Sequence, residues 1–287
     1  MIQSSQSYGC PVECKYCVIT QVDARKEQWD NRTILGLNKA VTILNPPPDL
    51  DDKNAVKEFY DFPIDLLRGD YVGFNAISDP FWPKYQKELD FFLTQVPPVA
   101  KLVTCVTKFN PSDTVLRRLS EIPNFRLVVS ITGLNSIEKT KTNHRLDLLK
   151  RSKQFGVQAF PIIHPYIEGM SDLSFLPKLK ELGYDAVDVK GLRYNQRMNN
   201  WMPEISQEYY RESNEKEFLP ETRWRELLAD AELTQVSLKD WYGKESLQPK
   251  LSLFEATWRV REIVRRANIT SSDTDDAVVE AAVKRRM

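Results

Sequence analysis

The sequence of 287 residues has few cysteines, few histidines and no long apolar run. Three of its four cysteines lie within eight residues, which is not the even distribution of a secreted disulfide scaffold and favours metal or redox chemistry in a reducing compartment. No apolar run approaches the roughly 20 residues of a membrane span, and residues 1–6 lack the basic start and apolar stretch of a signal peptide. These absences predict a cytoplasmic protein without a membrane anchor.

The charge composition is balanced. Forty basic residues offset forty acidic ones, so no overall field draws the chain to nucleic acid or to an anionic membrane. A hydrophobic content of 41% is sufficient for a substantial core. The composition therefore predicts a globular protein and gives no indication of a nucleic acid partner.

Short β-branched or apolar runs alternate with amphipathic stretches over the first two thirds of the chain. This alternation is typical of βα units around a parallel sheet. It predicts an α/β fold, an incomplete (β/α)6 barrel of the TIM type. The predicted strands cover 2–8, 71–77, 101–107, 124–131, 157–163 and 186–190, and the predicted helices cover 32–43, 84–93, 145–155 and 173–182.

The alternation stops near Asn195, and the remaining sequence is rich in tryptophan and tyrosine. Large aromatic side chains dominate burial where helices dock. The pattern predicts a partial barrel over residues 1–192 and a helical C-terminal extension over 193–287 that packs on it.

The most informative segment is a CxxxCxxC motif formed by Cys10, Cys14 and Cys17. It places three thiolates on one tight loop after the first predicted strand. A structural zinc site normally needs four protein ligands, and no fourth cysteine or histidine lies nearby. Three thiolates can instead bind three irons of a cubane cluster and leave the fourth iron open.

This motif resembles that of the radical S-adenosylmethionine (radical SAM) superfamily, CxxxCxΦC, in which Tyr16 takes the aromatic position. The resemblance implies that Cys10, Cys14 and Cys17 hold a [4Fe-4S] cluster whose open iron binds SAM. It further implies reductive cleavage of SAM to a 5'-deoxyadenosyl radical that abstracts hydrogen from a substrate, oxygen sensitivity, and a flavodoxin- or ferredoxin-type electron donor. Such domains resemble an incomplete (β/α)6 barrel with the cluster loop after its first strand, in agreement with the strand pattern.

A second segment, residues 73–83, is similar to the SAM-binding segment of the same superfamily in its spore photoproduct lyase-like form. The resemblance implies that Ser78 and Asp79 bind the SAM ammonium, with Asn75 in the same segment. An Asx-Pro turn that caps the next helix explains Asp79 equally well.

The later strand ends carry the remaining candidates. Ser130 and Thr132 follow the fourth predicted strand, where the resemblance implies contacts to the SAM ribose or carboxylate, and Arg145 resembles an arginine of relatives. Ile167 lies in a segment similar to the GxIxGxxE region and would pack against adenine. Thr132 as a turn residue and Arg145 as a solvated helix residue remain alternatives.

Cys105 is a candidate hydrogen donor to a product radical, although a free cysteine more often fills space in a core. The predicted function is a radical SAM enzyme acting on a small metabolite, a nucleoside or a peptide side chain. A DNA photoproduct lyase-like repair enzyme and a non-catalytic zinc- or cluster-binding module remain as alternatives.

Overall fold

The computed structural model divides the chain into two compact units. The first comprises Met1–Pro11, Val22–Cys105 and Lys244–Met287, and the second comprises Val12–Gln21 and Val106–Gly243. The predicted domain boundary between 192 and 193 stays a prediction. The structure describes residues 2–5, 10, 12–17, 35–37, 40–44, 68–69, 71–74, 79–83, 86–213 and 216–243.

The first unit contains a largely parallel sheet. Its strands are β1 (Ile2–Ser5), β2 (Leu35–Leu37), β3 (Ala40–Leu44), β4 (Tyr71–Phe74) and the start of β5 (Leu102–Thr107). β1 pairs in parallel with both β3 and β4, and β4 pairs in parallel with β5. Helix α1 (Gln86–Gln95) connects β4 to β5, and the ring of its Phe92 lies 4.2 Å from that of Phe74.

One predicted helix is wrong. Residues 32–43 were predicted to be helical, but β2 and β3 form an antiparallel pair there, with Leu35 opposite Thr42. Val41, Thr42 and Ile43 are β-branched, which lowers helix propensity and suits a pleated sheet. Pairing of β3 with β1 then decides the conformation of this segment.

The second unit contains the parallel strands β6 (Phe125–Ser130), β7 (Ala159–Ile163), β8 (Ala186–Val189) and β11 (Thr234–Gln235). They pair in the order β6-β7-β8-β11. Helices α2 (Asp113–Ser120), α3 (Thr142–Gln154) and α4 (Leu176–Glu181) alternate with the strands, and α3 packs on β6 and β7. The predicted α/β fold with an unclosed parallel sheet is confirmed, and all six predicted strands are present.

The described part of the segment after β8 contains short strands as well as helices. It contains β9 (Leu192–Arg193), β10 (Glu217–Phe218) and three short helices, α5 (Glu204–Glu208), α6 (Trp224–Asp230) and α7 (Leu238–Trp241). It also supplies β11 to the parallel sheet through pairing with β8. Two of its tryptophans contribute to packing: Trp224 is buried, and Trp241 stacks on Phe160 at 4.8 Å.

The helical prediction for 244–287 lies outside the described residues. None of the helices described here is long and apolar enough to cross a membrane.

Gly133 joins the loop after β6 to the loop after β7. It has φ +69°, and its carbonyl accepts the Asp172 N–H at 3.3 Å. A Cβ at this position would overlap the Asp172 carbonyl oxygen. We expect Gly133→Ala to lower the free energy of unfolding by about 3 kcal/mol or more, because it combines an unfavourable φ with a backbone clash.

Gly156 provides the matched control for urea unfolding of the Gly133 variant. It has φ +75°, but a Cβ there meets no atom within 4 Å. Gly156→Ala should therefore cost only about 1 kcal/mol, the penalty for left-handed backbone. If Gly133→Ala and Gly156→Ala lost equal free energies of unfolding, the backbone clash with Asp172 would not contribute to the effect at Gly133.

Candidate cofactor site

The cysteine loop is fixed by a tight turn. The N–H of Cys17 donates to the carbonyl of Cys14 at 2.9 Å, an i to i+3 bond typical of a β-turn. Cys14 and Tyr16 are buried, and Cys10 and Cys17 are half-buried. Residues 12–17 belong to the second unit, whereas Cys10 belongs to the first.

The donor set matches a thiolate-bound cluster in its chemistry. All four cysteines are free of disulfide bonds, and soft thiolates are the ligands of iron-sulfur clusters. Among the described residues, however, no three cysteine, histidine, aspartate or glutamate side chains group closely enough to hold a metal ion. Joint ligation by Cys10, Cys14 and Cys17 therefore stays a prediction from the sequence.

The environment of Cys14 favours the neutral thiol in the absence of metal. Burial raises the pKa of Cys14 to about 12; the positive charge of Lys108 opposes this shift and the negative charge of Glu138 adds to it. A ligating cysteine must be deprotonated, and a bound metal supplies the positive charge that makes this possible. Metal binding at this thiol would therefore release a proton.

Glu138 occupies the centre of the buried polar cluster next to the loop. Its side chain has no exposed surface. Oε2 accepts the Thr132 hydroxyl at 2.8 Å and a short hydrogen bond from the Arg145 guanidinium. Oε1 accepts a short hydrogen bond from the Tyr16 hydroxyl, and the Cys14 sulfur lies 3.9 Å away.

This cluster brings together three predicted SAM-binding residues, Tyr16, Thr132 and Arg145. The Arg145 guanidinium is fully buried, donates also to the Thr140 carbonyl, and lies 3.4 Å from the Thr132 hydroxyl. Arg145 is thus an internal residue of α3 rather than the solvated helix residue considered as its alternative. A direct contact between any of the three and SAM stays a prediction.

Ser130 lies in a second, adjoining polar group. Its hydroxyl donates to the His164 carbonyl at 3.0 Å and accepts a short hydrogen bond from Lys108. Lys108 also donates to the His164 carbonyl at 3.2 Å, and its Nζ atom lies 4.0 Å from Oε1 of Glu138 and 5.7 Å from the centre of the Tyr16 ring. Lys108 therefore connects the two polar groups.

Ile167 is fully buried in the loop after β7, and its N–H donates to the Ser171 hydroxyl at 3.0 Å. Its proposed packing against adenine stays a prediction. The same loop begins at a cis peptide bond between His164 and Pro165.

In the first unit, Asp79 forms the turn that its sequence context suggested. Its Oδ1 accepts the Phe81 N–H at 3.1 Å, an Asx turn, and the side chain is buried. Cys105 is also buried, and burial followed by the negative charge of Asp79 raises the pKa of its thiol. Asn75 and Ser78 lie outside the described residues.

The sequence analysis missed Glu138. One signal was present: Glu138 is the sole acidic residue between Glu121 and Asp147, in a stretch that contains Lys139, Lys141 and Arg145. An isolated acidic residue among basic residues, on a loop between a strand and a helix, is a candidate for a buried ion pair. Only the fold shows that its partners include the cysteine loop.

No family model and no curated protein matches the chain. Several solved structures are similar in fold. SuiB of Streptococcus suis aligns with a TM-score of 0.49 and 12% identity over 91% of this chain and 56% of SuiB. A structure described as native anSMEcpe with bound AdoMet aligns with a TM-score of 0.40 and 12% identity over 66% of this chain and 50% of that one.

Spore photoproduct lyase, in complex with dinucleoside spore photoproduct, aligns with a TM-score of 0.46 and 13% identity over 84% of this chain and 72% of the lyase. The chain spans about half the length of SuiB and anSMEcpe. All three neighbours are radical SAM enzymes, the superfamily that the cysteine motif of this chain resembles.

Proposed function

We propose that this chain is a radical SAM enzyme in which Cys10, Cys14 and Cys17 hold a [4Fe-4S] cluster. The observation that carries the proposal is the CxxxCxxC motif with Tyr16 in its aromatic position, on a loop where the Tyr16 hydroxyl donates a hydrogen bond to the buried carboxylate of Glu138. Three thiolates leave one iron open for an exogenous ligand.

When bound and reduced, the cluster would supply the electron that breaks a sulfonium C–S bond of SAM, and SAM would supply the 5'-deoxyadenosyl radical that abstracts hydrogen. The residues of the chain bind and orient these groups. Ser130, with the Lys108 ammonium beside it, offers a hydroxyl and a positive charge suited to a carboxylate. Ile167 offers an apolar wall, and Tyr16, within the loop, is linked through Glu138 to the buried residues Thr132 and Arg145.

The substrate class that we propose is a small metabolite, a nucleoside or a peptide side chain. A flavodoxin- or ferredoxin-type protein would deliver the electron, and the balanced charge of the chain supports no nucleic acid partner. Cys105 remains a candidate for returning a hydrogen atom to a product radical.

The test begins with anaerobic reconstitution with iron and sulfide, followed by metal analysis. We expect about four irons and four sulfides per chain, whereas one zinc without sulfide would support a structural module. Dithionite reduction with SAM should then yield 5'-deoxyadenosine, detected by chromatography, and omission of dithionite should prevent it. A chain that binds no iron would overturn the proposal.

A further inference from the structure

The two carboxylate oxygens of Glu138 face different partners. Oε2 is bound by Thr132, which follows β6, and by Arg145, which lies on α3. Both partners belong to well-packed parts of the second unit, where Thr132 and Arg145 are at most 1% exposed. Oε2 therefore anchors the carboxylate to the sheet and its covering helix.

Oε1 faces the cysteine loop. It accepts the Tyr16 hydroxyl, and the Cys14 thiol donates to it at 3.9 Å. Within the described residues, the hydrogen bonds of Cys14 and Tyr16 to Glu138 link the buried part of this loop to a segment more than 120 positions away. The exposed ion pair between Glu13 and Lys139, at 2.5 Å, adds little because water screens it.

A buried carboxylate is costly unless its charge and lone pairs are satisfied. The Arg145 guanidinium neutralises the carboxylate through Oε2, whereas Oε1 accepts the Tyr16 hydroxyl of the loop and lies 4.0 Å from the Lys108 ammonium. The contact that satisfies the second oxygen of this buried carboxylate is therefore also the contact that ties it to the cysteine loop.

We propose that Glu138 is a positioning residue that holds Tyr16 and Cys14 in place through Oε1, so that the loop is organised before a cluster binds. The carboxylate also places a negative charge beside a proposed cluster ligand. The consequence for the cluster rests on the proposed function, whereas the anchoring of the loop does not.

The first experiment uses the iron-free chain. Iodoacetamide is added, and the alkylation rate of Cys14 is followed by peptide mass spectrometry in the parent, Glu138→Gln and Tyr16→Phe. Tyr16→Phe removes one hydroxyl and leaves the ion pair between Glu138 and Arg145 intact. We expect Cys14 to react about tenfold faster in both variants, the change that loss of one buried hydrogen bond produces.

Two matched controls separate anchoring of the loop from general destabilisation. Tyr184→Phe removes another buried hydroxyl of the second unit, which donates to the Leu149 carbonyl at 2.9 Å. Glu121→Gln removes an exposed carboxylate. Neither should change the Cys14 rate. Hydrogen exchange of β7 reports unfolding of the unit, and if Glu138→Gln unfolds it, Tyr16→Phe decides the result.

The second readout is the midpoint potential of the reconstituted cluster, which a purely structural role would not shift. Loss of the negative charge in Glu138→Gln should move the potential upward, because the reduced cluster is the more negative state. The proposal would be overturned if the alkylation rate of Cys14 were unchanged in both Glu138→Gln and Tyr16→Phe. An unchanged midpoint potential of the cluster in Glu138→Gln would also overturn it. Failure to bind iron would instead overturn the proposed function, since the alkylation result needs no cluster.

Discussion

Cys14→Ala is expected to abolish cluster binding and to reduce 5'-deoxyadenosine formation to background. A cubane with one open iron needs all three thiolates of the motif, so loss of one leaves two irons without protein ligands. Iron and sulfide analysis after reconstitution measures the first effect, and chromatography after reduction with SAM measures the second. Cys10→Ala and Cys17→Ala should behave in the same way.

The matched control for these variants is Cys105→Ala, measured by iron content. Cys105 lies on β5, outside the motif, and its side chain is almost fully buried. Its removal should leave the iron and sulfide content unchanged. Equal loss of iron in Cys105→Ala and Cys14→Ala would contradict the assignment of the cluster to the motif.

Arg145→Met is expected to lower the free energy of unfolding by about 3–5 kcal/mol, because the buried carboxylate of Glu138 loses its hydrogen-bonded guanidinium and keeps only the Lys108 ammonium at 4.0 Å. This loss is large against a typical total of about 5–15 kcal/mol. Neither side chain of the pair has any exposed surface, so water cannot replace the missing partner. Urea unfolding followed by far-ultraviolet circular dichroism measures the change.

Arg151 offers a control on the same helix, α3. It pairs with Asp113 and Asp147, whose side chains are more than half exposed, and donates to the Pro111 carbonyl at 2.9 Å, so Arg151→Met should cost about 1–2 kcal/mol, less than Arg145→Met. In the double variant Arg145→Met with Glu138→Leu, part of the lost stability should return because the buried carboxylate is removed together with its guanidinium partner. Similar losses of unfolding free energy in Arg145→Met and Arg151→Met would show that burial does not determine how much the ion pair between Arg145 and Glu138 contributes to stability.

The strands could be predicted because their signals are local. β6 reads Phe125-Arg126-Leu127-Val128-Val129-Ser130, an apolar run whose side chains are nearly all buried. The segment 32–43 was predicted to be a helix because apolar periodicity is ambiguous over short runs. Its pairing with β1, more than 30 residues away, is a non-local contact that no local pattern contains.

The candidate site also contains residues that local sequence patterns identified and one residue that only the fold identifies. Motif positions and strand ends identified four candidates, Tyr16, Ser130, Thr132 and Arg145. In the structure they lie in two adjoining polar groups, and Lys108 contacts both groups. Glu138 belongs to no motif, and its role depends on two oxygens that face different partners.

By itself, the sequence determined the α/β class, the six predicted strands and the three-thiol motif, because periodicity, β-branching and cysteine spacing act within a few residues. The tertiary structure decided that Arg145 is internal, that Gly133 lies against Asp172 and that Glu138 binds the cysteine loop. Each of these depends on contacts between segments distant in the chain. Their free energies arise from burial and pairing, which exist only after the chain has folded.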